Sequence, residues 1–296
     1  MKKGIIYMVI SWNILLQVTS KNMNTLLIHL KGDAAVLKKI IVICLIAALA
    51  LTLVGCGATK AKKEKFVVTD NMEVVEKQVE DLNGDGKTQK VILYGEKDDQ
   101  GMPVWTLVEE EYEIVSLDSM EGAYTLADIN LQDVDGQKGL EVLFYRYNTG
   151  SAGGQGLNIY KLDRGEWQEI FNVPNSFDMG KERFTMQYMG NYQVSFKDSE
   201  TGLEHVIKLD PSRYAGNEEM LDGISTWVDP IAEYKLEDID SDGVSEITTM
   251  QMVIGIAHAD PIASLQTTYR VKDGSYQPEK ISLVDISGMV LVEKAL

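Results

Sequence analysis

The chain has 296 residues with 45 acidic against 28 basic side chains, a formal net charge of −17. Residues 1–55 hold six lysines and one aspartate, so the 241 residues that follow carry 22 basic and 44 acidic groups, a net charge of −22. A surface so acidic is repelled by phosphate backbones, which argues against nucleic acid as a partner, and 241 residues suffice for one large all-β domain or two small ones.

Residues 1–35 contain an apolar patch at 5–18, placed ahead of a signal that is already complete. The reading is that translation begins at Val36 from a GUG codon, which leaves 1–35 untranslated or an extended leader. The codons for Lys31-Gly32-Asp33 can spell a purine-rich ribosome-binding sequence at a workable distance. Residues 36–55 have the marks of a secretory signal: Lys38-Lys39, an unbroken apolar run at 40–54, and a small residue before the cut. The run is short of the ~20 residues that a membrane-spanning helix needs. Leu53-Val54-Gly55-Cys56 resembles a bacterial lipoprotein signal. The resemblance implies that the Cys56 thiol receives a diacylglycerol and becomes the new N-terminus, on the extracellular face of the cell membrane. The chain has two cysteines, and Cys44 lies inside the signal, so the domain beyond Cys56 has no thiol for a disulfide. Two acyl chains on one residue anchor durably. Residues 56–69 then form a flexible tether whose Lys60, Lys62, Lys63 and Lys65 either lie near anionic headgroups or are plain solvated linker lysines.

From residue 70 to 296 the pattern is that of strands. Apolar and aromatic runs of strand length fall at 91–94, 105–108, 112–117, 140–147, 157–162, 166–171, 184–188, 192–196, 247–256 and 267–271. Asn83-Gly84, Gly153-Gly154, Asp163-Arg164-Gly165 and Asp273-Gly274 separate them as hairpin turns do. Short helical turns are expected near 211–222.

Three acidic loops punctuate these strands: Asp81-Leu82-Asn83-Gly84-Asp85-Gly86-Lys87-Thr88-Gln89, Asp133-Val134-Asp135-Gly136-Gln137-Lys138-Gly139-Leu140-Glu141, and Asp238-Ile239-Asp240-Ser241-Asp242-Gly243-Val244-Ser245-Glu246. Oxygen side chains at the first, third, fifth and ninth places can converge on one hard cation, and a glycine at the sixth allows the sharp turn. Calcium is the leading candidate. The competing reading is a set of metal-free polar turns, since Asp and Asn favour such conformations unaided. An EF-hand does not fit, because a strand follows each loop and the twelfth place holds Ile92, Phe144 or Thr249 where a glutamate is needed. The loops begin 52 and then 105 residues apart, the second interval close to twice the first. A unit of that length suits a four-stranded propeller blade. The skipped copy would start near Thr185, where 184–196 reads as a hairpin without an acidic loop.

An Asp-x-Asp/Asn-x-Asp-Gly-x-x-Glu loop followed by a β-branched strand resembles the FG-GAP or VCBS-type repeat of calcium-binding β-propellers, and residues 150–167 resemble the strand pair between such loops. The Phe-Gly and Gly-Ala-Pro flanks of that family are absent, and the chain is too short for seven blades. The resemblance implies a β-propeller-like array of about four blades over 70–296. It makes Asp81, Asn83, Asp85 and Gln89 ligands in the first loop with the Lys87 carbonyl, and Asp238, Asp240, Asp242 and Glu246 in the third with the Val244 carbonyl. The second keeps Asp133, Asp135 and Glu141 but has Gln137 and Lys138 where Asp and Gly are expected, so it ranks lowest and the third loop highest.

No catalytic constellation is legible. Beyond residue 56 there are two histidines, His205 and His258, and no GxSxG, HExxH or phosphate-loop ending. His258-Ala259-Asp260-Pro261 reads as a structural pair, the alternative being a site in a loop at a propeller mouth, and Trp105, Trp167 and Trp227 as packing residues, the alternative being platforms for a sugar. The expectation is a membrane-anchored surface lipoprotein acting as a non-enzymatic protein- or glycan-binding module. The alternatives are a polysaccharide hydrolase or lyase, and an accessory or sensor lipoprotein.

Overall fold

The computed structural model describes residues 65–118, 124–150, 153–175 and 178–296. The expected leader, signal, lipidated Cys56 and most of the tether lie outside the described residues.

The described chain is all-β, built of four antiparallel sheets in which neighbouring strands follow chain order. Sheet A comprises β1 (Glu73–Glu80), β2 (Gln89–Lys97), β3 (Pro103–Glu109) and β4 (Tyr112–Asp118). Sheet B comprises β5 (Leu126–Gln132), β6 (Glu141–Tyr147), β7 (Gln155–Asp163) and β8 (Glu166–Asn172). Sheet C has β9 (Phe184–Gly190), β10 (Gln193–Asp198) and β11 (Glu204–Lys208). Sheet D has β12 (Val228–Glu237), β13 (Glu246–Ile254), β14 (Pro261–Lys272), β15 (Ser275–Asp285) and β16 (Val290–Ala295). Two short 3-10 turns, Pro211–Tyr214 and Glu218–Gly223, join C to D as expected. Arg164-Gly165 and Asp273-Gly274 both have positive φ at the two central residues, as tight hairpins require. The opening strands β1, β5 and β12 fall outside the expected runs; β1 is a charged edge strand, its charge supplied by Glu73, Glu76, Lys77 and Glu80.

Side-chain alternation explains the packing. In β6, Val142 and Phe144 point into a core shared with Val91, Leu93 and Leu107 of sheet A, while Leu143 points the other way, to Ile231 and Ile247 of sheet D. Sheet B is thus covered on both faces. Sheet D has longer strands and uses a single face twice. Ile247, Tyr269, Val271 and Tyr276 at one end meet sheet B, and Val253, Ala263, Leu265 and Leu283 at the other meet sheet C. The hairpin expected near Thr185 exists as part of sheet C, but it does not stand between B and D. Those two sheets pack directly, and C covers the far end of D. The doubled interval between the second and third loops is therefore the length of chain occupied by sheet C and its connections.

Candidate metal centre and the neighbouring cleft

Each acidic loop joins the first strand of a sheet to the second: β1 to β2, β5 to β6 and β12 to β13. Their turns are built by short side-chain bonds. In loop 1, Asp81 accepts from the Asp85 and Gly86 N–H groups at 3.1 and 2.8 Å, and Asp85 accepts from Lys87 N–H at 2.8 Å. Loop 3 repeats this pattern: Asp238 accepts from Asp242 and Gly243, and Asp242 from Val244. Lys87 and Val244, expected to lend carbonyls, are thus tied through their own N–H groups. In loop 2, Asp133 accepts from Gly136 N–H and Asp135 from Gln137 N–H.

The ninth residue has the same task in all three. Its side-chain oxygen accepts the N–H of the second residue: Gln89 from Leu82 at 2.7 Å, Glu141 from Val134 at 3.0 Å, Glu246 from Ile239 at 2.9 Å. This leaves one further oxygen on Glu141 and Glu246. One carboxylate oxygen each from Asp133, Asp135 and Glu141, and likewise from Asp238, Asp240 and Glu246, lie within 4.8 Å of one another. Loop 1 gathers no such trio, because Asn83 and Gln89 are neutral.

The three loops lie side by side. Leu140 N–H donates to Leu82 O, joining loops 1 and 2 at 3.2 Å, and Ser245 N–H donates to Val134 O, joining loops 2 and 3 at 2.9 Å. The buried Tyr276 hydroxyl lies 3.0 Å from Val134 O and 2.9 Å from Ser245 O. At Gly139, with φ +113°, an added Cβ would stand 2.4 Å from Leu82 O, so only glycine permits this approach.

The fit to calcium is poorer than the loops' composition implies, because the chain brings its own cations. Lys161 is ion-paired with Asp135, and its ammonium lies 3.8 Å from Glu141 Oε1. Arg270 Nη1 bonds Asp240 Oδ2 at 2.9 Å, its Nη2 lies 3.2 Å from Glu246 Oε1, and its Nε lies 3.3 Å from Glu279. Burial pushes the Glu141 carboxyl up; Val134 N–H and Lys161 work against that rise while Asp135 adds to it. Desolvation opposes the Arg270 charge, yet Glu246, Glu279 and Asp240 hold its pKa above the ordinary arginine value. Lys161 and Arg270 were not singled out by the sequence. Both lie inside strands, in β7 and β14, and only the strand register shows that they stand opposite the ninth-position glutamates.

A second feature lies over the middle of sheet D. Between its two apolar ends the same face carries Thr249, Gln251 and Thr267, which floor a cleft of about 590 Å³ walled by Pro174, Phe184 and Tyr269. Arg183 also lines it, but is clamped by Nε and Nη2 on the fully buried Asp198 at 2.9 and 2.7 Å. Burial would raise the Asp198 carboxyl; the bonds from Arg183 and Thr201 outweigh that and hold it below the ordinary range. His258 pairs with Asp229 at 3.3 Å and stacks on Trp227, while Asp260 bonds Arg213 and Tyr214. The expected His258–Asp260 pair is thus two separate contacts. Trp105 is in the core between A and B, and Trp167 packs against it.

A family profile described as the YybI C-terminal domain matches residues 182–284. Among curated proteins, the uncharacterized protein YybI of Bacillus subtilis (strain 168) is 25% identical over 209 residues, which is 64% of this chain and 76% of that protein. No solved structure gives a significant match. The FG-GAP/VCBS resemblance is thereby corrected: the matching profile is another family's. The reason is physical. Asp, Asn and Gly build side-chain-bonded turns wherever a tight hairpin needs them, so a loop pattern of this length arises without common descent. The matched stretch spans sheet C and most of sheet D, and so contains the third loop and most of the cleft, but neither of the first two loops.

Proposed function

We propose that this chain is a lipid-anchored protein of the bacterial cell surface whose all-β domain binds a ligand without transforming it, in the cleft over sheet D. The observation that carries the reading is the polar row Thr249, Gln251 and Thr267 set across an otherwise apolar sheet face. A volume of about 590 Å³ falls in the ordinary span of ligand sites. The Thr249 hydroxyl donates to Thr267 O and the Gln251 amide to Asp229 O. Their remaining oxygens are acceptors, suited to hydroxyl donors. The acidic lining residues Asp178, Glu182 and Glu200, together with the engaged state of Arg183, disfavour anions. A neutral, hydroxyl-rich ligand such as a glycan fits best. The same carboxylates give the rival reading, a polysaccharide hydrolase or lyase, its one specific support.

The finer fold reading, a propeller-like array of about four blades, has its support in the successive meanders A, B and D with their acidic loops aligned at one end; sheet C, which covers the far end of D, counts against it as a blade. Calcium enters only at loop 1, where Asn83 and Asp85 are exposed, Asp81 is half-buried, and no ion pair among the described residues joins Asp81 or Asp85 to a Lys or Arg. Anchoring rests on Cys56: Cys56→Ser should abolish incorporation of a fatty-acid analogue, and retained label would rule the site out.

The test of the cleft is a glycan array with the full chain in detergent, followed by titration of any hit with Thr249→Val. The expected result is about tenfold weaker binding, near 1.4 kcal/mol, on loss of one polar contact. Unchanged affinity sinks the cleft, and chain cleavage of the hit glycan would instead establish the enzyme.

A further inference from the structure

In two acidic loops of this protein a basic side chain reaches the clustered carboxylates. The register makes the correspondence strict. Val142 pairs with Tyr160 across β6 and β7, and one residue further on Glu141 faces Lys161. Ile247 pairs with Tyr269 across β13 and β14, and one residue further on Glu246 faces Arg270. In both cases the basic residue sits on the third strand of its sheet and reaches the third and ninth residues of the loop. In sheet A the corresponding place beyond the Val91–Glu109 pair is taken by Glu110 and Glu111, whose partners are Lys90 and Lys65, and the ninth residue is the neutral Gln89. Charge and countercharge therefore vary together within one chain: Glu with Lys, Glu with Arg, Gln with neither.

Burial explains why. Glu141 and Glu246 are 2% and 1% exposed. A carboxylate taken out of water must be paired or carry a heavy desolvation cost. Each gives one oxygen to the loop backbone, and the other has no hydrogen-bond donor in the case of Glu246 Oε1, which lies only at ion-pair distance from Arg270. We infer that Lys161 and Arg270 are built-in counter-ions that do for loops 2 and 3 what a divalent cation does in a calcium loop, so that these loops fold without metal and exclude it. Loop 1 follows the other solution, with a neutral ninth residue that needs no cation.

A protein cation on a fixed strand cannot be chelated or diluted away, so loops 2 and 3 hold sheets B and D together independently of ambient calcium. The inference stands apart from the ligand proposed for the cleft. Thermal unfolding of the full chain in detergent, in EDTA and in excess calcium, tests it. The wild-type protein should show only a calcium response that Asp85→Ala removes, or none. Arg270→Gln leaves Glu246 buried without its partner; it should unfold earlier in EDTA and recover in calcium. At ten times Kd the folding equilibrium shifts about elevenfold. Arg270→Lys, which keeps the charge, should stay calcium-indifferent. If Arg270→Gln folds in neither condition, the double variant Glu246→Gln with Arg270→Gln reproduces the arrangement at Gln89 and should fold in both. Failure of the double variant to fold would overturn the inference. So would a wild-type calcium response removed by Asp240→Asn, or an Arg270→Gln protein no more responsive than wild type. None of these readouts involves the cleft, so a failed glycan titration leaves them intact.

Discussion

Replacing Tyr276 by Phe removes one hydroxyl from the seam between loops 2 and 3 and changes almost nothing else. The ring is 6% exposed and stays packed edge-on against Phe171, with centroids 5.7 Å apart, so no cavity opens. Burial, reinforced by Glu141, Asp135 and Glu246, holds the phenol well above the usual tyrosine value, so it is a donor throughout the physiological range. Its single proton is shared between Val134 O at 3.0 Å and Ser245 O at 2.9 Å. Val134 O keeps a second donor, Ser245 N–H, at 2.9 Å. The Ser245 carbonyl loses its bond, though its half-buried residue lets some water reach it. A net hydrogen bond contributes about 0.5–1.5 kcal/mol and an orphaned buried acceptor costs more, about 1–3. The partial compensation places the expected loss at about 1.5 kcal/mol. Urea unfolding of the full chain in detergent should show a lower midpoint at unchanged slope. For a domain of this size the thermal midpoint should fall by about 3–6 °C. A loss below about 0.3 kcal/mol would mean that the hydroxyl does not join the loops, and that their alignment rests on the Ser245–Val134 bond alone.

Gly139→Ala should cost about 2 kcal/mol or more, because a Cβ there meets Leu82 O at 2.4 Å with φ at +113°. Gly86→Ala, with φ +85° and open space around it, should cost about 1 kcal/mol. Equal thermal midpoints for the two variants would contradict the close approach of loops 1 and 2. For Asp198 the folded pKa is depressed, so its contribution is present above the unfolded carboxyl value, ~3.9, and is lost as pH falls through the folded value. Asp198→Asn should therefore lower stability at neutral pH and flatten the loss below about pH 4; an acid limb as steep as wild type's would assign that sensitivity to other carboxylates.

Local pattern carried the strands at 91–94, 105–108 and 157–162, the tight turns at Arg164-Gly165 and Asp273-Gly274, and the three acidic loops. Each of these is decided by neighbours a few residues apart, through alternation or a backbone angle that glycine and short polar side chains favour. The same locality made the loops misleading as a family mark, since a turn of Asp, Asn and Gly satisfies its own backbone whatever the protein. Tertiary structure decided the rest. Sheet C lies over the far end of sheet D, not between B and D, because strands of 9–12 residues in β13, β14 and β15 expose a face long enough for two neighbours. That choice creates the polar cleft, which joins Thr249 and Thr267 to Phe184 and Pro174 from distant segments. It also required strand register to set Lys161 opposite Glu141 and Arg270 opposite Glu246. A count of carboxylates along the chain ranks loop 3 first as a metal site; only the fold shows that a guanidinium from the third strand of the same sheet reaches Asp240 and Glu246, because charge is neutralised in space and not in sequence.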